Sequence, residues 1–587
     1  GNVIRIVCPH QRDFNVSVRG GTVNSAMTAI KGIARDVSKL PDQCFDGYQL
    51  KVANTEESTA DDYYVKFETE APGGQGAGSW VETVKPGIST GLNTSTLPHA
   101  LVRNADGTFT LDALNSSSAL GGWSGREVGD EDSNPAPSFV GRTITDMFFH
   151  RNRLGFLSED SVILSQPGSY FNFFVNSALA ASDADPIDLT ASSTKPAILK
   201  SAVSSPKGLI LFAEHSQFLL STDELSFAPA TVTIKQIANY YYRSKVTPLN
   251  TGVSVAFLSE SATYSKVLEM ATDSVDNRPV VADITRVVPE FLPSGFKWGE
   301  VMPNNNMMLF GDATEDVYVF KFFNQGDERQ LAGWTKWTYP GDVRMFAAED
   351  DLCYIVLKGA DNRNILVRSE LIDDPDEAPL DVGFSKFTPR LDAMVDGSTL
   401  TVATEDALNT RITVPNNIMF NGATYNVVVT SGDFRGTFRR VTPTTDSNGV
   451  RSVVANTDLL TADWVLGCQY TSSVTLPSIF VTSEGKADRV NVPTVTLMHL
   501  DLYYSGRYEI VIDKLGYDQQ QLDADMTRSN VYDADGVPIN EISTQTIPVM
   551  SRGDIVKTTI NAPDPFPSSI TGYSWEGHYN NRGIKPI

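Results

Sequence analysis

Apolar positions along this chain fall in short runs broken by polar turns. The clearest example lies between Asp132 and Leu189. Met147 to His150 is apolar, Arg151-Asn152-Arg153 turns the chain, and Leu154 to Leu157 is apolar again; Ser158-Glu159-Asp160 turns once more before Val162 to Ser165. Short apolar runs separated by polar turns predict an antiparallel meander, with Phe148, Leu154, Phe156 and Val162 in its core. A meander cannot bury its face alone and needs neighbours of its own kind.

The same plan recurs at Gly208 to Thr222, Ser254 to Met270, Asn306 to Phe323 and Val343 to Gly359, the last running on into Asn364 to Leu371. The aromatic strand Gly333 to Pro340 stands between them. Units recur at roughly forty to sixty residues, and propeller blades lie near the lower end of that range. The expected fold is mainly β: a distorted β-propeller core with additional small β modules. An ordinary β-sandwich with several hairpins is the alternative.

Four regions follow. Residues 1–130 are expected to form an N-terminal α+β module, with a helix over Val23 to Lys39 because Ala26, Met27, Ile30, Ile33 and Val37 fall at helical intervals. Its Ala71 to Ser79 stretch reads as a glycine loop, and no Lys-Ser or Lys-Thr pair closes it as a phosphate loop. Residues 131–390 are the propeller-like core, which the proline-broken, acidic Asp373 to Leu380 leaves. Residues 391–488 read as an inserted β module of short alternating strands, Val474 to Thr482 among them. Residues 489–587 read as a C-terminal β segment completing the core.

At 587 residues the chain exceeds one core. It carries 47 basic and 71 acidic residues, a net charge of −24. Gripping nucleic acid needs Lys and Arg on phosphates, so the balance argues against a DNA-gripping protein, though not against one that lets DNA pass. The same acid also serves plain solubility. Cys8, Cys44, Cys353 and Cys468 are scattered, with no zinc spacing, and read as reduced thiols.

Candidate chemistry is thin. His10, His99, His150, His215, His499 and His578 make no HExxH or His-x-His, and no GxSxG elbow is present. Asp183, Asp185 and Asp188, and Glu349, Asp350 and Asp351, are acid clusters. Neighbours on a strand face opposite ways, so turn acid is the favoured reading over a glycosidase pair. Asp533 to Gly536 lacks the rest of a calcium loop. Arg552-Gly553-Asp554 reads as a chance hairpin turn, and Tyr240-Tyr241-Tyr242 and Phe171, Phe173 and Phe174 as packing aromatics. No catalytic, cofactor-binding or metal residue is assigned, no cofactor is expected, and the chain is read as no enzyme.

Longer motifs carry a resemblance. Pro98 to Phe109 (PHALVRNADGTF), Asn134 to Gly141 (NPAPSFVG), Phe148 to Ser158 (FFHRNRLGFLS), Tyr170 to Phe174 and Ser182 to Leu189 (SDADPIDL) are together similar to the tail tubular protein B family, the tail nozzle proteins of short-tailed, T-seven-like phages. Ser38 to Glu68 and Ser574 to Gly583 extend it, with a weak stretch between Asp392 and Arg489. The resemblance implies a structural virion-tail protein, made in the host cytoplasm. Six copies would form a ring that continues the DNA channel, helps retain the genome and allows ejection. Implied partners are further copies of itself, the tail adaptor protein (tail tubular protein A), tail fibres, double-stranded DNA passing without specific binding, and the host cell envelope. Members of the family begin with a further N-terminal region, so Gly1 is expected to open a fragment, a processed form or the ordered part of a longer chain. A carbohydrate-active or host-surface-binding propeller is the alternative function.

Overall fold

The computed structural model describes the chain apart from residues 1–2, 9–12, 19–26, 54–61, 71, 273–278, 326–327, 372–379, 382–385, 407, 433, 448, 484–485, 525–541 and 580–587. It is almost wholly β, in two compact units, Gly1–Gly295 and Phe296–Ile587. Among the described residues no helix is long and apolar enough to cross a membrane.

The first unit opens with β1 (Ile33–Ala34), β2 (Gln43–Phe45), β3 (Gln49–Val52), β4 (Tyr63–Thr69) and β5 (Gln75–Thr83), in the order β1-β3-β4-β5-β2. The expected helix over Val23 to Lys39 is absent from its described part: Ile33–Ala34 is strand and Val37–Lys39 a single 3-10 turn. Gly32 takes φ +64 just ahead of the strand, and the Asp36 carboxylate accepts from the Ser38 backbone N–H. Local side-chain capping of this kind competes with helix propagation. Among the described residues the module is β rather than α+β. The expected glycine loop is strand from Gln75 onward. Gly78 is needed there, because a Cβ would collide with the Glu68 carbonyl across the β4–β5 pair. A ribbon of β6 (Ala100–Arg103) and β7 (Phe109–Asp112) turns through Ala105-Asp106-Gly107, with Gly107 at positive φ.

Three antiparallel meanders follow. The first holds β8 (Ile144–His150), β9 (Arg153–Ser158), β10 (Ser161–Leu164) and β11 (Ile187–Thr190). Its β8–β9 hairpin turns through Arg151 and Asn152, both at positive φ, as expected. The second holds β12 (Leu199–Ser205), β13 (Gly208–Ala213), β14 (Gln217–Ser221) and β15 (Thr233–Ala238). The third holds β16 (Leu249–Asn250), β17 (Ser254–Glu260), β18 (Ser265–Thr272) and β19 (Pro279–Asp283). Each is a sheet in simple sequence order, the strand plan of a propeller blade. First strands lie side by side, β8 against β12 and β12 against β16, so they are the inner strands. Side chains seam them: Asp146 accepts from the Ala202 N–H at 2.9 Å, Thr145 donates to the Leu199 carbonyl at 2.9 Å, and Asn250 donates to the Ser204 carbonyl at 2.8 Å.

The second unit holds two more blades. One is β20 (Trp298–Met302), β21 (Met307–Gly311), β22 (Asp316–Gln325) and β23 (Glu328–Thr338). The other is β24 (Val343–Glu349), β25 (Leu352–Lys358) and β26 (Asn364–Glu370), with β24 against β20. Residues between Asp392 and Cys468 form two four-stranded sheets. Their core, including Ile412, Val427, Val453 and Trp464, is continuous with Leu309, Phe346 and Ile355 of the blades. Residues 489–587, expected to complete the blade core, among the described residues pair their strands in sheets of their own and with no blade strand. Thr494–Tyr503 pairs with Ile542–Arg552 and Ile570–His578, while Tyr508–Lys514 and Val556–Ala562 form a second sheet with Gln520–Ala524 and Ser472–Leu476. Leu500, Tyr508, Ile512, Val549 and Ile560 fill the space between them. Val474 to Leu476, read from sequence as part of the inserted module, therefore belongs to this last module.

Candidate functional site

The stretch that carries the family resemblance folds around one buried cation. Arg153 stands at the first position of β9 and is 2% exposed. Its guanidinium donates to the carbonyls of Ser165 (2.8 Å), Asp185 (2.7 Å) and Asp183 (2.9 Å). A buried guanidinium is tolerated when carbonyl acceptors replace its water. Arg153 thus ties the β8–β9 turn to the end of β10 and to the Ser182 to Leu189 motif. Sequence reading took Arg153 for a turn residue, because charged residues are seldom fully buried. Only its place just before a continuous apolar run hinted otherwise.

The aromatic members of the same motifs meet on one face of β9. Phe156 is fully buried between Phe139 (5.4 Å between ring centroids, edge-on) and Phe173 (5.2 Å, stacked), with Trp123 at 6.0 Å. Three separated motifs therefore build one cluster, whose aromatic contacts add to plain burial. Leu154, Phe156 and Val162 are buried as predicted. Phe148 is only half-buried, its ring lying over Gly155 of the paired strand, where a Cβ would strike it.

The acid clusters do not converge. Asp183 accepts from Ser226 Oγ (2.8 Å), Asp185 from the Ser182 N–H (2.7 Å) and Asp188 from the Ser138 N–H (2.8 Å), so each carboxylate fixes a different loop. Asp350 takes φ +51 in the β24–β25 turn, and Asp351 accepts from Asn305 at 2.9 Å. The Asp533 to Gly536 stretch and His10 lie outside the described residues.

His150 is buried edge-on to Phe227 (5.3 Å), with Nδ1 at 3.3 Å from Ser204 Oγ. Burial, with Arg151 adding, pushes its pKa down to about 4, so it stays neutral. His215 is a surface side chain beside Tyr241 at 5.6 Å. His499, to which sequence gave no role, lies between Thr546 (3.1 Å) and Glu576 (3.4 Å) in the C-terminal module. Tyr242 is buried, its hydroxyl sharing a hydrogen bond with Ser201 and donating to the Val246 carbonyl, and burial pushes its pKa up to about 12; Tyr240 is exposed. Arg552 pairs with Asp554 at 2.8 Å, while Gly553 packs against Ile479; the expected hairpin is not formed, because the strands on either side, Ile542–Arg552 and Val556–Ala562, belong to different sheets. Among the described residues no group of three or more His, Cys, Asp or Glu side chains is placed to hold a metal ion. The four cysteines are unpaired, three of them buried.

What the motifs build is thus a scaffold around a buried arginine and an aromatic cluster. Tail tubular protein gp12 of Escherichia phage T7 is 30% identical over 366 residues, which is 61% of this chain and 44% of that protein. The chain therefore spans less than half the length of that relative. Among solved structures, the WD40 domain of SCAP from fission yeast is 10% identical, at a TM-score of 0.26 over 72% of this chain and 95% of that one. The Neurospora crassa Pan2 WD40 domain is 9% identical, at 0.24 over 57% and 91%. Both scores are too low to bear on fold or function. The sequence family described as bacteriophage nozzle protein matches residues 1–585, nearly every position of the chain. This chain belongs to the bacteriophage nozzle protein family.

Proposed function

We propose that the chain is a structural part of a phage tail: the wall of a nozzle that continues the DNA channel, helps retain the genome and lets it leave at infection. The match of residues 1–585 to the nozzle family carries this reading. On it the protein resides in the virion tail, assembles with copies of itself in a six-fold ring and meets an adaptor ring, tail fibres and the host envelope. Head-to-tail interfaces that close generate such rings. Each protomer contributes a net charge of −24. Duplex DNA presents one negative charge per roughly 1.7 Å of axis, so an acidic wall disfavours sticking and retention falls to steric closure by loops. Screening over roughly 10 Å at 0.1 M salt restricts this effect to charges beside the lumen.

Mass photometry of the full-length protein, alone and with its adaptor, tests the assembly. Hexamers in the mixture are expected, and monomers there would overturn the ring. The carbohydrate-active reading is tested separately by reducing-sugar release from a panel of polysaccharides, where no release above the buffer control is expected.

A further inference from the structure

Four of the five blade sheets have four strands; the fifth, β24-β25-β26, has three among the described residues. Its first strand lies against β20, so the open side is the outer edge, β26. In the complete blades that place is taken by β11, β15, β19 or β23, each antiparallel to the strand before it.

Among the described residues no strand covers β26. β26 runs seven residues without proline or bulge. Ile365 and Val367 pack inward, whereas Asn364, Leu366, Arg368 and Glu370 form an exposed row, Leu366 at 70%. Natural edges of this length are usually shortened, bulged, broken by proline, charged or covered, and of these β26 has only the charges of Arg368 and Glu370. The sequence that follows is a poor source of a covering strand. Asp373 to Pro379 carries two prolines and four acids in seven positions. Proline offers no ladder donor. The acids would also face Glu370 and the Glu349-Asp350-Asp351 turn, which sits beside it through the Leu371 N–H to the Asp351 carbonyl at 3.2 Å.

We propose that β26 accepts an extended strand from another protein, which completes the fifth blade as its fourth, antiparallel strand. Backbone pairing at an open edge supplies affinity and side-chain complementarity supplies choice. Residues directly opposite across an antiparallel pair share a face and interact. The row on β26 therefore fixes the partner's chemistry in its own N-to-C direction. A basic residue stands opposite Glu370, near the acidic turn; a small polar one opposite Ser369; an acidic one opposite Arg368. Three apolar residues follow opposite Val367, Leu366 and Ile365. This proposal goes beyond the nozzle reading and does not depend on it.

The test uses the full-length chain in two arms. In hydrogen exchange, alternate β26 amides should exchange fast in the free protein. Slow exchange of every β26 amide would mean that the chain covers its own edge, and protection rising with protein concentration would mean that a second copy does; either overturns the proposal. In the binding arm, the probe is a labelled synthetic peptide with the stated order: basic, polar, acidic, then three β-branched apolar residues. It should protect β26 and bind about tenfold more tightly than the same peptide with its two charges exchanged. The double variant Arg368→Glu with Glu370→Arg should invert that preference while its melting temperature stays that of the parent. Failure of the peptide to bind, or binding indifferent to charge order and to the double variant, would overturn the proposal.

Discussion

The first and fifth blades are built on the same meander and differ in how their strands are used. In the first, β9 and β10 are buried at every position. Phe156 fills one face with Phe139 and Phe173, and Leu157, Val162 and Leu164 fill the other against the second blade. In the fifth, β25 and β26 bury alternate residues on one face, and Leu366 looks into solvent. A sheet covered on both sides reads as a continuous apolar run and cannot give up a side chain cheaply; one covered on one side alternates and keeps a surface free. The first blade is scaffold, and the fifth keeps an edge for recognition.

The largest expected effect sharpens that contrast. Phe156→Ala should lower stability by about 3–5 kcal/mol, as large-to-small aromatic changes in filled cores do. Leu366→Ala should stay within about 0.5 kcal/mol. Urea midpoints of the two variants, compared with the parent, measure this, and equal shifts would erase the distinction between the blades.

Next comes Arg153→Met. It keeps much of the stem but leaves the carbonyls of Ser165, Asp185 and Asp183 without their donor in a buried site. A loss of about 2–4 kcal/mol is expected, because buried polar groups left unmade are costly. Arg153→Lys should recover only part of it, since an ammonium cannot reproduce the planar fork. A neutral outcome for Arg153→Met would remove the arginine from the centre of the first blade.

The pH effects are smaller and run in opposite directions. His150 titrates at about 4 in the folded chain, below its ordinary 6.5, because burial disfavours its charged form. Its contribution is whole above pH 6.5 and is lost as pH falls toward 4. His150→Leu should flatten that acid limb. Asp392 is half-buried at the start of the inserted module, and burial pushes its carboxyl up from 3.8 to about 7. A raised carboxyl favours the protonated fold, so stability is whole below pH 3.8 and is lost as pH rises toward 7. Asp392→Asn should therefore match the parent at pH 4 and exceed it, by about 1 kcal/mol after solvent screening, at pH 7.5. Melting curves of parent and variants between pH 4 and 8 measure both slopes.

Smallest of all, Arg552→Ala should change stability by less than about 0.5 kcal/mol, since its pairing with Asp554 is a surface contact within one turn. A larger loss in urea titration would give that turn a structural weight that its exposure does not suggest.

Sequence made the meanders legible because their turns carry strong local signals: Arg151-Asn152 and Ser158-Glu159-Asp160 fall where the chain reverses. The helix expected over Val23 to Lys39 rested on apolar spacing alone, which in its described part Gly32 and the Asp36 cap override. The strand through Gln75 to Ser79 was hidden because Gly76, Gly78 and Ser79 look like loop, while the fold needs the lack of bulk at Gly78 beside Glu68. Arg153 and the short fifth blade were not legible at all. One needs acceptors that lie 12 to 32 residues away in sequence, and the other is visible only when whole sheets are compared.

The functional account rests on a ring that lets DNA through. Electron microscopy of the full-length protein with its adaptor tests that most directly. The account predicts six-fold rings around an open channel, with a net acidic lumen narrowed by loops between strands. Single particles without rotational symmetry would contradict the nozzle wall, and a lumen lined mainly by Lys and Arg would contradict passage without sticking.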